Sequence, residues 1–93
     1  MFTNAPTLIN GTSLQGTIRT TRAHIESVFG APTYDNGDPE DKVITEWQLT
    51  FDNGVIATIY DWKNYAKVGM NDPYDWHIGG KDYRAVEAVS AAL

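Results

Sequence analysis

The clearest pattern along the chain is an alternation near its middle. Val43, Thr45, Trp47, Leu49 and Phe51 fall on one side of a strand, and Lys42, Ile44, Glu46, Gln48 and Thr50 on the other. Such a period of two marks a strand with two unlike faces. Asp52-Asn53-Gly54 supplies a hairpin turn, and Val55 to Trp62 returns. Two registers are open. An Asn-Gly turn pairs Phe51 with Ile56 and Trp47 with Tyr60; a longer turn with Gly54 left-handed pairs Phe51 with Val55, Leu49 with Ala57 and Trp47 with Ile59. The second is preferred, because it makes one face uniformly apolar and a one-residue slip would spoil that. It leaves Glu46, Gln48, Thr58, Tyr60 and Trp62 on the opposite face.

Leu14, Gly16 and Ile18 alternate with Gln15, Thr17 and Arg19, a second short strand. Thr20 or Thr21 then offers a hydroxyl to a free helix N–H. Ile25, Val28 and Phe29 share one helical face, and Gly30 with Pro32 ends the helix. Residues 33 to 41 are dense in turn formers and acids and read as a solvated loop. Residues 63 to 75 read as a loop, and Trp76-His77-Ile78 as a short last strand. Asp82 is the expected N-cap of a closing helix with Ala85, Val86, Val89 and Leu93 inward. Residues 1 to 11 carry little pattern and read as a loosely ordered leader.

This order predicts one α+β domain over residues 1–93. It is a small antiparallel sheet, with its central hairpin at about residues 42–62, and two helices, at about 21–29 and 82–92, packed on one face. The other sheet face, or an edge strand, is left to bind or to dimerise.

Composition narrows the class. The chain has 93 residues, 42% of them hydrophobic and 20% charged, as expected of a globular domain. It has no cysteine, so disulfides and thiolate metal sites are excluded. No apolar run is long enough for a membrane span, and no secretion signal is evident. The expected location is the cytoplasm. Seven Lys and Arg against twelve Asp and Glu give a net charge of −5. Such a balance disfavours a nucleic acid duplex as partner.

Candidate chemistry gathers at two places. The first is the polar hairpin face, where Glu46, Tyr60 and Trp62 mix aromatic and hydrogen-bonding groups, as a small polar ligand requires. Lys63 follows in sequence. Tyr60 and Trp62 could stack a base or frame a sugar, or they could pack beneath a helix. The second is Trp76-His77 with Gly79-Gly80-Lys81-Asp82. Glycines before a helix let an anion approach, with Lys81 adding charge; a simple tight turn is the plainer reading. Glu46, Asp61 and His77 could form an acid–base group, although nothing in their spacing demands it. No nucleophile motif is present, and no cofactor motif is expected. His24 and His77 are too far apart in sequence to suggest a metal site.

The ordered landmarks Leu14-Gln15-Gly16, Phe29-Gly30-Ala31-Pro32, Lys42 with Glu46-Trp47, Asp52-Asn53-Gly54, Ala57 to Lys63 and Trp76-His77-Ile78-Gly79-Gly80 carry a resemblance. From about residue 14 to 90 the chain resembles a group of small proteins encoded by tailed bacteriophages and some large DNA viruses. The resemblance implies a viral accessory protein in the host cytoplasm. The function expected from it is anti-defence: binding and sequestering a nucleotide-derived immune signal, of cyclic dinucleotide or cyclic ADP-ribose type, without turnover. The expected ligand contacts are Glu46, Tyr60, Trp62, Lys63, Trp76, His77, Gly79, Gly80 and Lys81, in a homo-oligomer. The alternatives are a protein–protein inhibitor of a host defence enzyme and a small nucleotide hydrolase or lyase.

Overall fold

The computed structural model describes residues 2–7, 9–35, 43–62 and 68–93. Five strands and two helices follow in the order β1 (Phe2–Asn4), β2 (Ser13–Thr20), α1 (Arg22–Phe29), β3 (Glu46–Phe51), β4 (Ile56–Tyr60), β5 (Tyr74–Gly80) and α2 (Arg84–Ala92). The strands form one antiparallel sheet in the order β1-β3-β4-β5-β2. The α+β layout expected from the sequence is the one observed.

The hairpin adopts the register that keeps its faces distinct: Trp47 lies opposite Ile59, and Leu49 opposite Ala57. Phe51 donates its N–H to Val55 O at 2.9 Å, and Gly54 sits at φ 85°, a left-handed conformation that glycine adopts without steric cost. Trp47, Leu49, Ala57, Ile59, Trp76 and Ile78 are fully buried on one face, and Ile25 and Phe29 of α1 with Ala85, Val86 and Val89 of α2 are buried in the same cluster. Burying each large aliphatic side chain contributes about 1.5–3 kcal/mol. Trp47 and Trp76 meet edge to face, with centroids 5.4 Å apart.

Local chemistry sets the element ends. Thr21 caps α1, its hydroxyl accepting the His24 N–H at 3.2 Å. Gly30, at φ 87°, ends that helix. Asp82 accepts the Arg84 N–H at 2.9 Å but stands one residue ahead of Tyr83, the helix boundary, which makes no side-chain cap bond. The regular ladder of β3 starts at Glu46 rather than near residue 42, because the N–H groups of Ile44 and Thr45 are taken by Asp61 Oδ1 at 2.8 and 3.0 Å. The last strand starts at Tyr74, two residues earlier than the pattern suggests.

The largest departure lies at the start of the chain. A loosely ordered leader is the sequence expectation, yet Phe2–Asn4 forms an edge strand on β3, with Phe2 opposite Phe51. Phe2 also packs edge-on against Phe29 at 4.9 Å. Asn4 Nδ2 donates to Phe29 O, an oxygen that the end of α1 leaves open, at 2.9 Å, and to Ala31 O just beyond the helix at 2.8 Å. β1 and β2 lie at opposite edges, so the chain between them must cross the sheet, a width of about 19 Å at ~4.8 Å per strand. It crosses the polar face: Thr7 N–H donates to Gln48 Oε1 at 3.0 Å, and Thr50 Oγ1 to Thr7 Oγ1 at 3.4 Å.

Candidate functional site

The crossing segment turns the polar face into a groove. Gln48 and Thr58, in the middle of that face, are buried despite pointing away from the helices. Beside the strap lies a depression of about 220 Å³, with Ile9, Thr12 and Ser13 on one wall and Val43, Glu46, Tyr60 and Trp62 around the other. Thr58 and Gly79 contribute the floor. Gly79 is required there: a Cβ would stand 2.5 Å from Thr58 Oγ1 and 3.4 Å from a Tyr60 ring carbon. The groove is smaller than the about 300–1,000 Å³ of drug-sized sites, so it suits one ring system rather than a whole dinucleotide.

Three side chains line up across the central strands. Glu46 of β3 is opposite Tyr60 of β4, and Tyr60 is opposite His77 of β5. The Tyr60 and His77 rings meet edge to face at 5.5 Å, and Trp62 stacks on His77 at 6.3 Å with 28° between planes. Trp62 is 40% exposed at the rim. The phenol separates the carboxylate from the imidazole. Ser13 Oγ accepts from Gln15 Nε2 at 3.1 Å.

Electrostatics follow from burial. Burial raises the Glu46 carboxyl above its ordinary pKa; the Gln48 amide, 3.0 Å from Oε2, pulls it down, and the Asp61 charge adds to the rise. Burial also raises the Tyr60 phenol, and the Glu46 charge raises it further. Arg19 stands on this face too, paired with Asp75 at 3.2 Å where both are exposed.

Of the residues expected to hold a ligand, Glu46, Tyr60, Trp62, His77 and Gly79 come together. Three others do not. Trp76 is fully buried in the core, because it neighbours His77 on a strand and neighbours on a strand face opposite ways. Gly80 faces α2, where a Cβ would collide with Ala85 Cβ and lie 3.3 Å from Ile56 O. Lys81 lies beyond β5, beside Asp82 and Arg84 at the start of α2. Gly79, Gly80 and Lys81 therefore form no single phosphate cradle: close packing demands both glycines. Lys63 lies outside the described residues. Asp61 is fully buried, with its Oδ1 taken by the Ile44 and Thr45 N–H groups; its charge is felt at Glu46, but it forms no hydrogen-bonded group with Glu46 and His77 among the described residues.

The sequence reading missed Ile9, Thr12 and Ser13. A strap carries no periodic signal, and only the opposed edge positions of β1 and β2 bring it over the groove. No described helix is long and apolar enough to cross a membrane, and the described residues contain no cluster of metal-ligating side chains. No protein-family model, curated protein or solved structure matches the chain.

Proposed function

We propose that this chain is a viral anti-defence protein that binds and sequesters a nucleotide-derived immune signal, of cyclic dinucleotide or cyclic ADP-ribose type, without turnover. The observation that carries the reading is the groove itself. An exposed Trp62 ring, a glycine floor at Gly79 and the polar groups of Glu46, Thr58 and Tyr60 converge on a space sized for one base. Stacking on an aromatic face contributes about 1–3 kcal/mol per base. The remainder of such a ligand extends out of the groove, where Arg19 is a described cation on the same face. A second copy of the chain would enclose that remainder.

A thermal-shift screen against cyclic dinucleotides, cyclic ADP-ribose isomers and plain nucleotides tests this, each hit being released by heat and identified by mass. A ligand at a hundredfold over its Kd adds about 2.7 kcal/mol to stability. A shift with intact ligand recovered supports sequestration. Altered ligand means catalysis, and no shift across the panel rejects the nucleotide groove.

A second reading, inhibition of a host defence enzyme by direct contact, has one observation in its favour. Among the described residues β2 pairs only with β5, so the outer edge of an eight-residue strand presents open backbone groups. Such an edge accepts an added strand.

A further inference from the structure

The inference rests on the reading that the groove holds a nucleotide ring, and it starts from the orientation of Glu46. Its orientation is imposed from both sides of a neighbouring amide. Thr7 N–H donates to Gln48 Oε1, so the Gln48 amide must turn its Nε2 toward Glu46, and it donates to Oε2 at 3.0 Å. Among the described residues the one hydrogen bond recorded to the Glu46 carboxylate is that from Gln48, at Oε2. An ionised carboxylate accepts and never donates, and its two oxygens present adjacent acceptors with several lone-pair directions. The strap thus holds, through Gln48, a fixed double acceptor at the groove wall.

The complement of a double acceptor is a planar edge with two adjacent N–H donors. Guanine presents such a pair, N1–H beside its N2 amine. Adenine presents a ring-nitrogen acceptor beside its N6 amine, and cytosine has the same alternation. Uracil has a single N–H flanked by two carbonyls. Only guanine gives both carboxylate oxygens a donor; each other base leaves an acceptor facing an acceptor in a partly desolvated site. We propose that the groove selects a guanine-bearing ligand, with Glu46 accepting from N1–H and N2–H while Trp62 stacks on the ring. Charge-assisted bonds of this bidentate kind are the stronger class.

Calorimetric titration of the full chain with guanosine, inosine, adenosine and ethylguanidinium tests the assignment. Guanosine binds about tenfold or more tightly than adenosine, the discrimination typical of one bidentate contact. Inosine, which keeps N1–H and lacks the N2 amine, falls between them. Glu46→Gln then exchanges one acceptor for a donor, and the order reverses in favour of adenosine; its thermal unfolding is recorded alongside. Equal binding of guanosine, inosine and adenosine to the parent chain overturns the assignment without any variant, while leaving the groove as a base site. An unchanged order in Glu46→Gln overturns it as well. Tighter binding of ethylguanidinium than of guanosine makes the groove a seat for an arginine side chain instead. No binding by any nucleoside rejects the nucleotide reading together with the inference.

Discussion

Tyr60 lies directly across the β3–β4 ladder from Glu46, and burial together with that carboxylate's charge raises the phenol's pKa. The pair shows how the polar face is maintained. Its groups are partly withdrawn from water by the strap, yet they are not fully paired with one another. Sites of this kind cost stability and are repaid when a ligand supplies the missing partners.

Stability should therefore depend on pH through Glu46. Its folded pKa is raised, so between the ordinary carboxylate value and the raised one the folded state binds more protons than the unfolded state, and stability falls as pH rises through that window. Glu46→Gln removes the dependence. The variant should melt higher than the parent at neutral pH, with the difference shrinking toward zero below the ordinary carboxylate range. A difference independent of pH would contradict this.

The groove floor makes a second, local prediction. Gly79→Ala places a methyl against Thr58 Oγ1 and should cost about 1–3 kcal/mol in denaturant unfolding. Adding Thr58→Ala removes the obstructing oxygen and should recover part of that loss. Gly80→Ala meets Ala85 and the Ile56 carbonyl, which cannot swing aside, so it should cost more than Gly79→Ala. Additive losses for Gly79→Ala and Thr58→Ala would mean that the two sites are not in contact.

Asp61 separates a backbone role from a charge role. Its Oδ1 accepts two buried N–H groups, while Oδ2 is buried with no hydrogen-bond partner among the described residues. Asp61→Ala strands both donors and should cost about 3 kcal/mol. Asp61→Asn keeps the Oδ1 acceptor and removes a buried charge, so it should be milder by about 2 kcal/mol. Equal losses in chemical denaturation would show that the two N–H bonds contribute little.

The contribution of β1 is testable through Asn4. Asn4→Ala removes two bonds to the end of α1 and the acceptor that Thr33 Oγ1 reaches at 2.6 Å. A loss of about 1–3 kcal/mol is expected. Faster amide exchange at Gly30, which donates to Glu26 O at the end of α1, should accompany it. An unchanged melting point would make the strand a passive addition to the sheet.

The hairpin, the two helices and the polar groove wall could be read in the sequence because each has a local cause. The Asp52-Asn53-Gly54 turn and an alternating apolar set determine the register, and Thr21 and Gly30 bound α1. β1 has no such cause: it is three residues long, and its pairing depends on Phe51 and Phe29, far away along the chain. The expected site is wider than the groove for a different reason. Trp76 and His77 are adjacent on a strand, as are Gly79 and Gly80, so one of each pair had to face the helices. Strand alternation alone contains that information, and the appeal of a Trp-His-Ile-Gly-Gly run obscures it.

On the proposed function, the ligand enters the polar face and not the start of α2. Amide and indole NMR shifts during titration with a guanine-bearing cyclic dinucleotide test it most directly. Shifts at Thr58, Tyr60, Gly79 and the Trp62 indole, with Lys81 to Ala85 unmoved, are the predicted result. Shifts confined to Lys81 to Ala85, or none at all, would contradict it.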